Sequence, residues 1–207
     1  MFTVPFVPTP ELVAMRMLTL AGTKPGELVY DLGAGDGRII ILAARSFGAT
    51  AVGVELQESR LRMVAEGIRR EKLEQSASVI HGDFLDVDLS NADVVTLYLL
   101  PSVNSLIRPK LERELRYGAR VVSHDFPIEG WFPMQVETVE TEHRTHVIYL
   151  YKVPRSKIIG SHIEASLLDI SEERKIFLHL GSMDQPNGAV GHEERRDTVT
   201  ATCWFPR

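Results

Sequence analysis

Residues 28–38 read Leu-Val-Tyr-Asp-Leu-Gly-Ala-Gly-Asp-Gly-Arg, and this stretch decides the fold. Its apolar start predicts a strand buried on both faces, and the apolar residues 39–43 predict a helix that packs against that strand. Gly33, Gly35 and Gly37 lie between the two elements, where glycine permits positive φ and leaves main-chain N–H groups open to a ligand. The stretch therefore predicts a strand, a ligand-binding turn and a helix.

The spacing of these glycines narrows the class of ligand. The pattern G-x-G-x-G differs from the G-x-G-x-x-G of dinucleotide-binding folds and from the phosphate loop, which requires Lys after its last glycine. Asp31 precedes the turn, and Glu55 follows the next predicted strand, where an acid accepts hydrogen bonds from ribose hydroxyls in a nucleotide site. Two acids beside a turn without Lys or Arg favour a cationic ligand head, such as the ammonium and sulfonium of S-adenosylmethionine.

The rest of the chain predicts strands that alternate with helices, followed by a β-hairpin. The predicted strands cover about 28–30, 50–54, 77–80, 93–98 and 119–123, and the hairpin covers 134–141 and 145–152. The first helix should begin at Thr9-Pro10-Glu11, which is typical of an N-cap, a first-turn proline and a first-turn acid. A later helix from about Ser102 should be bent or restarted at Pro109 and end by Gly118.

The chain resembles the class I S-adenosylmethionine-dependent methyltransferases through residues 31–37, Glu55 and the run His81-Gly82-Asp83-Phe84. More narrowly, it is similar to the archaeal broad-specificity protein lysine methyltransferases and their mitochondrial relatives. Five short motifs in chain order carry the narrower resemblance, over about residues 1–153. They are Val7-Pro8-Thr9-Pro10-Glu11, Asp36-Gly37-Arg38, Leu99-Leu100-Pro101 with Asn104, Pro109-Lys110-Leu111, and Ser123-His124-Asp125-Phe126 with Gly130-Trp131.

This resemblance implies a fold and an activity. The expected fold is a doubly wound α/β domain over residues 1–153, with a mostly parallel seven-stranded sheet and an N-terminal helix. Residues 154–207 break the pattern and predict a small β extension of unknown role. The expected activity is in-line transfer of a methyl group from S-adenosylmethionine to the ε-amine of exposed lysines on protein substrates.

Cofactor contacts are expected on both sides of the glycine turn. Local sequence alone predicts helix capping for Thr9 and Glu11, whereas the resemblance places their segment over the cofactor pocket. Asp83 suits either an acceptor for the adenine amine or an ordinary Asx turn. The expected cofactor-binding residues are Thr9, Glu11, Asp31, Gly33, Ala34, Gly35, Gly37, Glu55, Leu56, Asp83, Phe84 and Leu99.

The acceptor should bind where the fourth and fifth strands end, because ligands of open parallel sheets gather at the carboxyl ends of strands. An acceptor lysine has a pKa of ~10.4 in water, so the site must desolvate it and remove a proton, which release to water can achieve. His124 is equally consistent with a structural role, and Trp131 with a core position or an apolar wall. The candidate catalytic residues are Tyr98, Leu100, Asn104 and His124, with the Leu99 carbonyl and Asp125 nearby.

Composition sets further bounds. The 207 residues are 44% hydrophobic, which suits one well-cored α/β domain with a small appendage. A net charge of −5 argues against a duplex nucleic acid partner and accommodates a basic protein. One cysteine, no secretory leader and no long apolar run predict a cytoplasmic protein that does not enter a membrane. We make no prediction of the oligomeric state.

Metal and hydrolase chemistry receive no support from the sequence. The seven histidines show no tight ligand spacing, Cys203 has no cysteine partner, and no G-x-S-x-G motif occurs, so no metal is expected. Two alternatives to lysine methylation stay open. The first is a methyltransferase for a small molecule or RNA, which would share the whole cofactor half. The second is a non-catalytic module that binds S-adenosylmethionine.

Overall fold

The computed structural model describes residues 7–153, so the predicted β extension at 154–207 lies outside the described residues. The helices are α1 (Glu11–Leu20), α2 (Arg38–Phe47), α3 (Glu58–Arg70) and α4 (Pro101–Glu114). The strands are β1 (Leu28–Leu32), β2 (Thr50–Glu55), β3 (Ala77–His81), β4 (Val94–Leu97), β5 (Arg120–His124), β6 (Gln135–Glu140) and β7 (Thr145–Lys152). Within the described part of the chain, no helix has the length and apolar character needed to cross a membrane.

The seven strands form one sheet in the order β3-β2-β1-β4-β5-β7-β6. The first five strands pair in parallel, and β7 lies antiparallel between β5 and β6. This confirms the predicted doubly wound, mostly parallel fold. Because β1, β4 and β5 are neighbours and run in one direction, their carboxyl ends meet at the same edge, where the glycine turn also lies.

Two apolar cores cover the two faces of this sheet. Alternate residues of a strand point to opposite faces, so Val94 and Val122 belong to one core and Val95 and Val121 to the other. Helices α1, α2 and α3 supply the first core, and α4 supplies the second. The sheet is therefore held from both sides, which fixes the strand ends that form the site.

Two helix predictions need correction. The N-cap position of α1 is Pro10 and no side chain caps the helix, because the Thr9 hydroxyl bonds elsewhere. Helix α4 continues through Pro109 without a restart, and a bend at Pro109 stays a prediction. Pro109 lies on the exposed face of α4, and so does Ser105, whose carbonyl would otherwise accept the missing N–H. Water can satisfy that carbonyl, so the helix need not break.

Candidate active site

The glycine turn has the predicted backbone conformation. Gly33, Gly35 and Gly37 have φ values of +84°, +59° and +81°, which side chains with a Cβ adopt only with strain. The Val54 carbonyl accepts the N–H groups of Gly33 and Ala34 at 2.9 and 3.0 Å, which ties the turn to the end of β2. Gly37 is the N-cap residue of α2. The predicted succession of strand, turn and helix is confirmed.

Glu55 lies directly beneath this turn. Its Oε2 accepts the Gly35 N–H at 2.9 Å and its Oε1 accepts the Gln57 N–H at 2.8 Å. The Arg60 guanidinium lies 3.7 Å from Oε1, and Glu55 is only 4% exposed. Glu55 therefore holds the turn as well as standing at the position predicted for a ribose contact, a second task that sequence reasoning missed. Leu56 follows it and is partly exposed.

Asp31 is a buried acid at the end of β1. The Thr96 hydroxyl donates to its Oδ1 at 2.6 Å. Burial, with smaller contributions from the neighbouring charges of Asp36 and Glu55, raises the pKa of Asp31 to about 7, although the Thr96 hydrogen bond acts in the opposite direction. A cation bound beside this carboxyl would relieve the cost of ionising it. The site chemistry thus fits the cationic head expected of the cofactor.

Asp83 follows β3 and forms the Asx turn that was one of its two interpretations. Its Oδ1 accepts the Leu85 N–H at 2.9 Å. Phe84 is half-buried and packs against the core that contains Leu97 and Leu99. The Asx bond uses one carboxylate oxygen, so an adenine contact through the other oxygen stays a prediction.

The segment before α1 is tied to the strand ends through Thr9, which is 4% exposed. Its Oγ1 lies 3.1 Å from His124 Nδ1, and its carbonyl accepts from Arg38 Nη1 at 2.8 Å. Arg38 in turn pairs with Asp36 of the glycine turn at 2.5 Å. Glu11, by contrast, is exposed and pairs with Arg45 in the last turn of α2, so its cofactor contact stays a prediction.

At the end of β4, Leu99 and Leu100 have different tasks. Leu99 is buried beside the glycine turn, where a Cβ on Gly33 would come 3.2 Å from Leu99 Cδ2. The Leu100 carbonyl accepts the N–H groups of Val103 and Asn104, both at 2.9 Å, and so starts α4. With both lone pairs of its oxygen engaged, Leu100 is poorly suited to orient an amine through its carbonyl.

Asn104 is fully buried and faces the loop that follows β5. Its Nδ2 donates to the Phe126 carbonyl at 3.1 Å and lies 3.4 Å from both Ser123 Oγ and the Pro127 carbonyl. Its Oδ1 is buried and has no hydrogen-bond partner among residues 7–153. Asn104 thus anchors the loop from below, which makes it a positioning residue in this conformation.

A buried histidine pair lies at the end of β5. His124 Nε2 is 2.8 Å from Nδ1 of His146, which sequence reasoning did not connect to the site. Burial lowers the pKa of His124 to about 4, so its ring is neutral at pH 7. His146, Ile148 and Leu150 alternate along β7 on its buried face. That two-residue period was the available signal, but only the strand order brings His146 to His124.

Asp125 connects this pair to the surface. It has a φ of +60°, and its Oδ1 accepts the Val147 N–H at 3.1 Å. Arg144 Nη2 donates to Asp125 Oδ2 at 2.6 Å and to the Tyr98 hydroxyl at 3.0 Å. Burial opposes ionisation of Asp125, but the hydrogen bonds from Arg144 and Val147 and the neighbouring charges together outweigh it and keep the pKa of Asp125 below its ordinary value. The Tyr98 ring lies against the His124 ring with centroids 3.9 Å apart and the ring planes tilted by 33°.

The same cluster offers three potential metal ligands. One ligand atom from each of His124, Asp125 and His146 lies within 4.8 Å of the others. The 2.8 Å separation of the histidine nitrogens is the length of a hydrogen bond, which requires a proton between them. Arg144 also supplies the positive charge beside Asp125. We therefore interpret the cluster as a hydrogen-bonded network, and the absence of a metal stays a prediction.

Trp131 packs against the core that contains Ile128 and Tyr151. Its ring meets Tyr151 edge-on with centroids 5.5 Å apart, and its Nε1 donates to Glu112 at 2.7 Å. Of its two interpretations, this arrangement fits the core position.

Comparison with known proteins gives a family match and close relatives. The family model for the ANTKMT methyltransferase domain matches residues 31–135. A protein-lysine N-methyltransferase of Saccharolobus islandicus is 48% identical over 160 residues, which are 77% of this chain and 96% of that protein. The adenine nucleotide translocase lysine N-methyltransferase of Mus musculus is 35% identical over 64% of this chain and 58% of its own length. The chain thus spans little more than half of that mammalian relative.

A solved structure is also similar. The crystal structure of an RNA methyltransferase from Salinibacter ruber, in complex with S-adenosyl-L-homocysteine, superposes with a TM-score of 0.68 at 40% identity. The match covers 76% of this chain and 99% of that one. The Saccharolobus islandicus protein and the Salinibacter ruber protein both match over nearly their whole lengths, but one is named for a protein substrate and the other for RNA. The identity of the methyl acceptor therefore needs a separate argument.

Proposed function

This chain belongs to the ANTKMT methyltransferase family, and we propose that it transfers a methyl group from S-adenosylmethionine to the ε-amine of lysine side chains in proteins. The match to the archaeal protein-lysine N-methyltransferase, over 96% of that protein's length, carries the proposal. The family resemblance, the methyltransferase class and the cofactor inferred from the sequence are confirmed.

The residues around the glycine turn have separate tasks in this proposal. The bound cofactor supplies the methyl group on its sulfonium. We assign the ribose hydroxyls to Glu55, the cationic head to the neighbourhood of Asp31, and the adenine to Asp83 and Phe84. Burial of Asp31 and Glu55, which are each 4% exposed, keeps competing water from both carboxyls.

On the acceptor side, the chain must align the amine rather than activate a strong nucleophile. Tyr98 and Asp125 stand at the ends of neighbouring strands, and Leu99 after Tyr98 lies where a side chain on Gly33 of the turn would meet it. His124 is neutral at pH 7, but its two nitrogens already face Thr9 and His146. We therefore assign His124 to positioning and the proton of the acceptor to water.

One observation favours RNA as a second candidate substrate, namely the 40% identity to the Salinibacter ruber enzyme. The net charge of −5 weighs against it, because binding to nucleic acid depends on neutralising phosphates with Lys and Arg. A cofactor-binding module without catalysis is the third possibility, and it predicts no methyl transfer to any acceptor.

One experiment separates these three functions. The protein is incubated with methyl-labelled S-adenosylmethionine and, in parallel, with mixed native proteins, total RNA and small metabolites. We expect label on protein, located at Nε of lysine by mass spectrometry, and none when S-adenosyl-L-homocysteine is in excess. The rate should rise between about pH 7 and 9, because only the neutral amine attacks and its unperturbed pKa is ~10.4. Label on RNA or metabolites alone contradicts the lysine proposal, and no label at all supports the non-catalytic module.

We also propose a cytoplasmic location and a catalytic domain at residues 1–153. The single cysteine among 207 residues supports the first, since disulfides are rare in that compartment. The family match at 31–135 supports the second, since it ends before the predicted extension begins.

A further inference from the structure

Three side chains from three different elements meet beside the acceptor region. Asp125 directly follows β5, Tyr98 directly follows β4, and Arg144 directly precedes β7 in the turn after β6. Because β7 is antiparallel to β5, with His124 opposite Ile148, this turn returns to the edge where β4 and β5 end. One guanidinium nitrogen of Arg144 donates to both the carboxylate of Asp125 and the hydroxyl of Tyr98, at 2.6 and 3.0 Å.

Asp125 is held in place by the fold, whereas the Arg144 side chain is far more exposed. Asp125 is held by the Val147 N–H on its Oδ1, has a left-handed backbone conformation, and its side chain is 11% exposed. A non-glycine residue at positive φ persists only where its surroundings impose it, and such residues cluster at functional sites. The Arg144 side chain is 46% exposed and reaches the pair from a turn. An ion pair this exposed contributes little stability, so a competing cation can displace it.

Asp125 and Tyr98 also lie close to the glycine turn at residues 33–37. Tyr98 is followed by Leu99, whose Cδ2 would lie 3.2 Å from a Cβ added to Gly33, so this side chain covers the turn at Gly33. β4 pairs with β1 on one side and with β5 on the other. Tyr98 and Asp125 therefore lie at strand ends adjacent to the end of β1, where the glycine turn begins. A cation held by Asp125 and Tyr98 is therefore next to the turn to which we assign the cofactor.

From this arrangement we propose that the Asp125 carboxylate and the Tyr98 hydroxyl form a cation seat, which binds the protonated amine of the acceptor lysine. Arg144 is a placeholder that occupies this cation seat until the acceptor displaces it. A lysine ammonium carries the same charge as the guanidinium and has three donors for the same two oxygens. Arginine suits the task of a placeholder because it cannot lose its proton in a protein and so cannot become a nucleophile at this position. The inference rests on the proposed function and specifies how its acceptor is recognised.

Binding without turnover gives the first test. The complex with S-adenosyl-L-homocysteine is titrated calorimetrically with a peptide of alternating lysine and alanine, and with its Nε-acetylated copy as a neutral control. Asp125→Asn should weaken binding of the charged peptide by at least ~10-fold, the scale for a hydrogen bond to a charged group. Arg144→Ala should strengthen it about two- to fivefold, since an exposed ion pair no longer competes. Glu74→Gln, an exposed acid before β3, should leave it unchanged.

Asn tolerates positive φ and keeps the acceptor for Val147, so the Asp125→Asn protein should fold. If its circular dichroism shows otherwise, Arg144→Ala decides alone, because that side chain is on the surface. Equal affinity of wild type and Arg144→Ala for the charged peptide overturns the placeholder. If the folded Asp125→Asn protein binds the charged peptide as tightly as the wild type does, Asp125 is not part of a cation seat.

Self-modification gives a second test. Arg144→Lys places an amine in the seat. Once its ammonium has released a proton to water, the amine can attack the methyl carbon of S-adenosylmethionine, and S-adenosyl-L-homocysteine leaves. Methylation at position 144 should occur within one molecule, at a rate independent of protein concentration. Glu142→Lys, an exposed position in the same turn, is the matched control and should stay unmodified. Methylation at 142 but not at 144 overturns the inference. A wild-type protein that methylates no lysine in native proteins, yet binds the charged peptide as described, contradicts the proposed function and leaves the cation seat standing.

Discussion

Glu55 supports the cofactor turn from below, because its two carboxylate oxygens accept the N–H groups of Gly35 and Gln57. Replacing Glu55 with Ala removes these bonds and the proposed ribose contact together. We expect Glu55→Ala to weaken S-adenosylmethionine binding by roughly 1–3 kcal/mol, the range for lost hydrogen bonds to a charged group. Isothermal titration calorimetry with S-adenosylmethionine measures this change, and NAD and ATP should not bind to either protein.

The matched control is Glu58→Ala, which removes an exposed acid from the first turn of α3. Its affinity should equal that of the wild type. If Glu55→Ala binds as tightly as Glu58→Ala, the ribose assignment of Glu55 is wrong.

Asp31 should link cofactor binding to pH. In the free protein the pKa of Asp31 is about 7, and a bound cation lowers it, so binding should release a proton. The affinity should therefore rise about tenfold between pH 6 and 8, since most Asp31 is protonated at the lower value. The amino group of the ligand titrates in the same range, so the readout is the difference between wild type and Asp31→Asn. Calorimetry in buffers of different ionisation enthalpy counts the proton, and identical release by both proteins contradicts the assignment.

At the scale of elements, β2 and the start of α2 approach each other closely at Gly53. A Cβ at this position would lie 2.6 Å from Ala34 Cβ and 3.2 Å from Ile40 Cδ1. Both neighbours belong to the cofactor turn and the helix after it, so neither can move freely. We expect Gly53→Ala to lower the free energy of unfolding by about 1–3 kcal/mol, the usual cost of overpacking. Urea denaturation followed by circular dichroism measures it.

Gly82→Ala is the control for this prediction, because the nearest atom to its added Cβ is 4.0 Å away. It should unfold at nearly the same urea concentration as the wild type. A Gly53→Ala protein as stable as Gly82→Ala would show that the turn can shift at no cost.

The strands were predictable from sequence because they are apolar on both faces over short runs. β4 and β5 begin one residue after their predicted starts and end within one residue of their predicted ends. The positions of Asp31, Glu55 and His124 were predictable, because each lies at or near the carboxyl end of a parallel strand. The site was not predictable where it depends on contacts between elements that are distant in sequence. Thr9 favours a cap in the local sequence, yet its hydroxyl bonds to His124, 115 residues away.

Pairing between strands decides the rest of the site. His146 reaches His124 only because β7, and not β6, lies beside β5. The local sequence of a hairpin does not indicate which of its two strands will pair with the next strand of the sheet. The same strand order brings Arg144 to Tyr98, so the cation seat could not have been located from the sequence.

At the scale of the whole molecule, Val153 marks the last backbone pairing of the described fold. Its N–H donates to the Ala119 carbonyl at 2.8 Å, and its carbonyl accepts the Gly118 N–H at 3.1 Å. A protein truncated after Val153 keeps all seven strands and should bind S-adenosylmethionine with the affinity of the full chain. Calorimetry on the two proteins makes the comparison. A folded 1–153 protein that fails to bind would place part of the cofactor site in residues 154–207.

Truncation after Thr141 is the informative contrast, since it removes β7 and leaves β5 with an unpaired edge. That protein should aggregate, because exposed strand edges pair with other chains. If it binds the cofactor as well as the 1–153 protein does, the hairpin contributes nothing to the site.

The inside position of β7 also constrains biosynthesis. β7 is the last described strand to leave the ribosome, but it occupies a place between two strands made before it. Until residue 152 has been synthesised and released from the exit tunnel, β5 and β6 each lack a neighbour, and the nascent chain exposes strand edges that are prone to aggregate. A translational pause after this point would let the sheet close, whereas a pause before residue 145 would prolong the most aggregation-prone stage. The order of the strands thus means that the sheet can close, and the risk of aggregation can fall, only after β7 has been synthesised.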